Sequence, residues 1–123
     1  MSDKKKILIV DDEVGILTLL SERLSSSGYD VLKADNGLDA LDIAKDKLPD
    51  LIILDIMMPH MDGMAVSQRL KENISTKDIP VIFLTALQGK KEESDSHKSG
   101  KNIIFSKPFD SKELLAKIKQ LIG

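Results

Sequence analysis

Three unbroken apolar runs constrain this chain more than any other feature: Ile7-Leu8-Ile9-Val10, Leu51-Ile52-Ile53-Leu54 and Val81-Ile82-Phe83-Leu84. A strand with one wet face alternates apolar and polar residues. A run that is apolar at every position fits a strand buried on both faces, as in a parallel sheet covered by helices on both sides. Weaker runs at residues 31–34 and 103–105 bring the number of candidate strands to five. Segments with helical spacing lie between them. Ile16, Leu17, Leu20 and Leu24 form one stripe that ends near Gly28, a good helix stop. Leu38, Leu41, Ala44 and Leu48 form a second, broken by Pro49. Met64, Val66 and Leu70 make a shorter third. Leu114, Leu115, Ile118, Leu121 and Ile122 make the last, with Asp110 and Glu113 as a capping pair at its start. The predicted class is therefore α/β, a doubly wound five-stranded parallel sheet.

The first strand runs straight into Asp11-Asp12, and the third ends in Asp55. If these strands are parallel neighbours, three carboxylates meet at one edge of the sheet. Like charges repel, and burial worsens the repulsion, so such a cluster calls for a cation. Ligands of open α/β sheets collect at the carboxyl ends of the strands, where Thr85 and Lys107 also fall. Hard oxygen donors suit Mg²⁺ (or Mn²⁺) better than zinc. A carboxylate can attack phosphorus to give an aspartyl phosphate, and Lys107 and Thr85 could hold phosphoryl oxygens. Taken singly, each residue has a plainer explanation. Asp12 could cap the next helix, Asp55 could cap a turn, and Thr85 and Lys107 could be ordinary strand-end and solvated residues.

Bulk properties narrow the alternatives. With 123 residues, 41% hydrophobic and 31% charged, the chain fits one folded domain. A net charge of -2, from 18 basic and 20 acidic side chains, leaves no footprint for nucleic acid or an anionic membrane. The absence of cysteine excludes disulfides and thiolate chemistry. The basic start is followed by only four apolar residues, too few for a signal-peptide core, so a cytoplasmic location is expected. His60 and His97 read as surface residues, and the methionines at 57, 58, 61 and 64 as packing.

Four short motifs, taken together, are specific. Ile7-Leu8-Ile9-Val10-Asp11-Asp12-Glu13, Leu54-Asp55-Ile56-Met57-Met58-Pro59 with Met61-Asp62-Gly63, Leu84-Thr85-Ala86, and Lys107-Pro108-Phe109 occur in that order. In this the chain resembles the response-regulator receiver domains of two-component signalling, the CheY-like family, across nearly its whole length. The resemblance implies a flavodoxin-like sheet in the order 2-1-3-4-5 with five helices, and a single receiver domain over residues 1–123 without an output domain. It implies a signalling domain rather than an enzyme, with Asp55 as phosphoacceptor. Asp12, Asp55 and the Met57 backbone carbonyl would bind Mg²⁺ directly, Asp11 mainly through water, and Thr85 and Lys107 would hold the phosphoryl oxygens. A cis peptide is expected before Pro108. The implied partners are a histidine kinase or histidine phosphotransfer protein as donor and a downstream protein as reader. A phosphatase of the haloacid-dehalogenase type would need a second aspartate where Met57 stands.

Two departures fall on signal readout. The family's usual aromatic residue three positions before its lysine is Ile104 here, and Phe105, being adjacent, faces the other side of the sheet. Residues 88–102 contain no apolar side chain, so the fourth helix is expected to be short or disordered. That stretch reads either as a polar surface segment or as one that orders against a partner, reporting phosphorylation in its own way. Met57 and Leu87 hold the positions that tune hydrolysis in the family. Both are apolar, and neither can orient a water, so a long-lived phosphoryl group is expected.

Overall fold

The computed structural model describes residues 4–85, 103–107 and 109–123. In chain order these form β1 (Lys6–Val10), α1 (Val14–Ser26), β2 (Asp30–Ala34), α2 (Gly37–Lys47), β3 (Leu51–Asp55), α3 (Gly63–Lys71), β4 (Val81–Thr85), β5 (Ile103–Ser106) and α4 (Ser111–Ile122). The polar stretch at 88–102, Leu87 and Pro108 with its expected cis bond lie outside the described residues. All strands pair in parallel, in the order β2-β1-β3-β4-β5 that the resemblance implies.

Alternation along the strands divides the interior in two. Ile7, Ile9, Leu51, Ile53, Ile82 and Leu84 pack with Leu17, Leu20 and Leu24 of α1 and Leu114 and Ile118 of α4. Leu8, Val10, Ile52, Leu54 and Phe83 pack with Ala40, Leu41 and Ala44 of α2 and Val66 and Leu70 of α3. This two-sided burial is why the strand sequences are apolar throughout. The weaker β2 is an edge strand and half-buried. Ile104 and Phe105 join opposite cores, as their adjacency in a strand requires.

The predicted stripe on α2 holds at Leu41 and Ala44 and fails at its two ends. Leu38 is 64% exposed and Leu48 51%, while Gly37, Ala40, Leu41 and Ala44 are buried. At its start the helix packs too closely for any side chain, since a Cβ on Gly37 would meet Val66 Cγ2 at 2.9 Å. Leu48 caps α2 in the left-handed conformation, with φ 49°, just before Pro49. Met64, the first member of the α3 stripe, is likewise exposed. The stop at Gly28 holds, with φ 98°, and Asp110 caps α4 by accepting the Lys112 N–H at 2.8 Å.

Register brings the carboxyl ends together. Val10 pairs with Leu54, so Asp11 and Asp55 follow side by side, at the point where the chain crosses from one half of the sheet to the other. Thr85 pairs with Ser106 on the far side of β4, next to Lys107. Gly63 locks this edge. Its N–H donates to the Ile56 carbonyl at 2.9 Å, and a Cβ there would collide with the Asp55 carbonyl oxygen and lie 2.9 Å from Ile56 Cα. Both obstacles are backbone, so the end of β3 would have to move. We expect Gly63→Ala to cost about 1–3 kcal/mol in urea unfolding and to weaken Mg²⁺ binding; wild-type stability and affinity would contradict this.

Candidate metal centre

Asp11 and Asp55 are oriented by the same local device. Asp11 Oδ1 accepts the Glu13 N–H at 2.9 Å, and Asp55 Oδ1 accepts the Met57 N–H at 3.2 Å. Each is an Asx turn, a side chain bonding the backbone two residues on. One oxygen of each carboxylate is thereby tied to its own turn. The other oxygen of each faces Lys107, whose Nζ lies 3.0 Å from Asp11 Oδ2 and 3.5 Å from Asp55 Oδ2. Lys107 is held in turn by its own backbone, which donates to the Thr85 carbonyl at 2.7 Å. Both aspartates are buried, and the lysine side chain is only 13% exposed.

Burial pushes the Asp55 carboxyl up, and the neighbouring Asp11 charge pushes it further, to about 6 from an ordinary 3.8. Lys107 and the Met57 N–H pull it back down without cancelling the rise. Burial works against the charge on Lys107 as well. Contacts with Asp11, Glu13 and Asp55 outweigh it and hold the lysine above its usual value.

One carboxylate oxygen from each of Asp11, Asp12 and Asp55 lies within 4.8 Å of the others, with Asp12 exposed and the other two buried. Asp11 Oδ2 is buried at ion-pair distance from Lys107 but accepts no aligned hydrogen bond. An all-oxygen set of three anions facing one cation is short of positive charge. It fits Mg²⁺, the ion typical of such carboxylate clusters, and it fits Mn²⁺.

The residues singled out from the sequence therefore converge. Asp12, Asp55, Met57 and Lys107 line one open cleft together with Glu13. Thr85 is buried at the neighbouring strand end and is not among the cleft-lining residues. Asp55 does cap a turn, through its bond to Met57, whereas the N-cap position that Asp12 could have held belongs to Glu13. Two further residues of the motifs have a structural part to play. Gly63 locks the loop, and Glu13 places Oε1 3.0 Å from Lys107 Nζ.

The described residues contain no helix long and apolar enough to cross a membrane. The family described as response regulator receiver domain matches residues 7–119. The chain is 42% identical over 117 residues to the DNA-binding dual master transcriptional regulator RpaA of Synechocystis sp., covering 95% of this chain and 48% of that protein. It thus spans about half the length of that regulator. Among solved structures it is similar to a protein of Chloroflexus aurantiacus assigned as a response regulator, with 31% identity, a TM-score of 0.87 and 98% of each chain covered. It is also similar to the signal receiver domain of a signal transduction histidine kinase from Syntrophus aciditrophicus, with 34% identity, a TM-score of 0.83, and 96% of this chain and 89% of that one covered.

The raised Asp55 pKa has a pH signature. An unfolded chain releases this proton near 3.8, the native protein near 6. Between those values the native state holds the proton more tightly, so stability is full below the window and falls as pH rises through it. The loss totals on the order of 3 kcal/mol without metal. Asp55→Asn stays neutral and escapes it. In EDTA, its stability advantage over wild type should be larger near pH 7.5 than near pH 4.5 by about 2 kcal/mol, the rest of the loss falling below pH 4.5. An equal advantage at both would mean that Asp55 titrates as an ordinary carboxylate.

Proposed function

The chain belongs to the response-regulator receiver family, and from that premise we propose that Asp55 is the residue that accepts the phosphoryl group. As a phosphoacceptor receiver domain it is a signalling domain rather than an enzyme, and membership implies a histidine kinase or histidine phosphotransfer protein as donor. The observation that carries the assignment is the half-buried Lys107 ammonium set between the outer oxygens of Asp11 and Asp55.

In this reading an Asp55 oxygen forms a bond to phosphorus as the P–N bond to the donor imidazole breaks, leaving an acyl phosphate. Asp11, Asp12 and Asp55, with the Met57 carbonyl, would hold Mg²⁺ here. When bound, the ion neutralises the carboxylates and draws charge from the phosphoryl oxygens. Lys107 exchanges carboxylate partners for a phosphoryl oxygen, and the Thr85 hydroxyl donates to another. Residues 1–123 act as one receiver domain in the cytoplasm, and a protein partner reads the phosphorylated state. Near-balanced charge argues against DNA binding by this chain alone, whatever the DNA-binding relative does as a whole.

Intact mass after incubation with acetyl phosphate and Mg²⁺ tests the assignment. We expect a gain of roughly 80 Da, one phosphoryl group, in wild type, and none in Asp55→Asn or in EDTA. An adduct that survives Asp55→Asn would contradict it. The phosphoryl group should also last. Met57, at the cleft mouth, offers only a thioether, which does not orient an attacking water. Replacing Met57 by Asn and Leu87 by Glu should speed loss of phosphate by about tenfold or more; an unchanged decay would show that these side chains do not set the lifetime.

A further inference from the structure

Glu13 is the N-cap residue of α1, yet its side chain makes no capping bond. Its backbone does that work, with the carbonyl accepting from Ile16 and Leu17 at 3.1 Å each and the N–H bound to Asp11 Oδ1. The side chain, 63% exposed, reaches instead across the cleft to Lys107, 94 residues away in sequence, at 3.0 Å. Exposed ion pairs are usually weak. This one differs because the lysine is largely withdrawn from solvent and already faces two buried carboxylates. Glu13 therefore adds a third anion to one ammonium, as an exposed side chain lining the same open cleft as Asp55.

We propose that Glu13 is a specificity-determining residue. By engaging Lys107 at the cleft mouth, it disfavours small dianionic phosphodonors. The inference rests on Asp55 being the phosphoacceptor. An incoming phosphoryl group has to take Lys107 from Glu13, and the glutamate released then faces the donor's charge without a partner. The penalty grows with the charge of the donor. A phosphorylated protein offsets it with contacts outside the cleft, whereas a small molecule has none.

Two small donors of different charge separate this effect from general damage. With acetyl phosphate, a dianion, the Asp55 oxygen bonds phosphorus as the P–O bond breaks and acetate leaves. With phosphoramidate, whose protonated nitrogen cancels one charge, the P–N bond breaks and ammonia leaves. Rates of adduct formation are read by intact mass, with Mg²⁺ saturating for each variant as fixed by a separate binding titration. Glu13→Gln should raise the ratio of acetyl phosphate rate to phosphoramidate rate by about three- to tenfold. Glu13→Asp, which keeps the charge, should keep the wild-type ratio, and added salt should shrink the difference between Glu13→Gln and wild type. An unchanged ratio in Glu13→Gln, or the same shift in Glu13→Asp, overturns the proposal while leaving an Asp55-dependent adduct intact. Absence of an adduct from either donor, in wild type and in Glu13→Gln alike, overturns this proposal and the phosphoacceptor assignment together.

Discussion

The Lys107 ammonium holds the site together. It lies 3.0 Å from Asp11, 3.0 Å from Glu13 and 3.5 Å from Asp55, on a strand end tied to Thr85. Without a cation there, two buried carboxylates on adjacent strands would repel across a medium that screens them poorly. The sheet order makes this unavoidable. Once β1 and β3 are paired with Val10 opposite Leu54, Asp11 and Asp55 are neighbours whatever else the chain does. A lysine arriving from β5 is the part of the solution that the protein carries itself.

That solution is incomplete, and the incompleteness is useful. Asp55 remains well above an ordinary carboxylate despite the lysine, because burial and Asp11 together outweigh it. A site fully neutralised by its own side chains would leave a divalent cation and a phosphoryl group with little to gain. Here a second cation would relieve repulsion already present between the carboxylates. The two Asx turns contribute by fixing one oxygen of each aspartate, so that the remaining oxygens face the shared ground. Functional sites of this kind combine local destabilisation with chemical readiness.

The sheet was legible because its strands are apolar at every position, a pattern that leaves few other folds open. The carboxylates were legible as charges abutting those strands. The two ends of the α2 stripe were misread because hydropathy favours Leu38 and Leu48, whereas the helix packs closely enough against Val66 and Met61 to require Gly37. The choice between small and large residues depends on a distance that periodicity does not carry. The strand order came from the resemblance rather than from the apolar pattern itself. The Glu13 contact spans 94 residues and involves an exposed acid, which in sequence looks like any solvated side chain. Sequence reading gave the separation of Ile104 and Phe105 onto opposite faces, because strand alternation alone decides it.

The central claim is that Asp55 sits in an anionic cluster short of one cation, and the most direct measurement is Mg²⁺ binding calorimetry across pH in buffers of different ionisation enthalpy. Asp55 titrates near 6 without metal. Binding below and around that pH should therefore release a proton, approaching about one per ion, and should tighten as pH rises, with both effects lost in Asp55→Asn. Binding that is independent of pH and releases no proton would contradict the account.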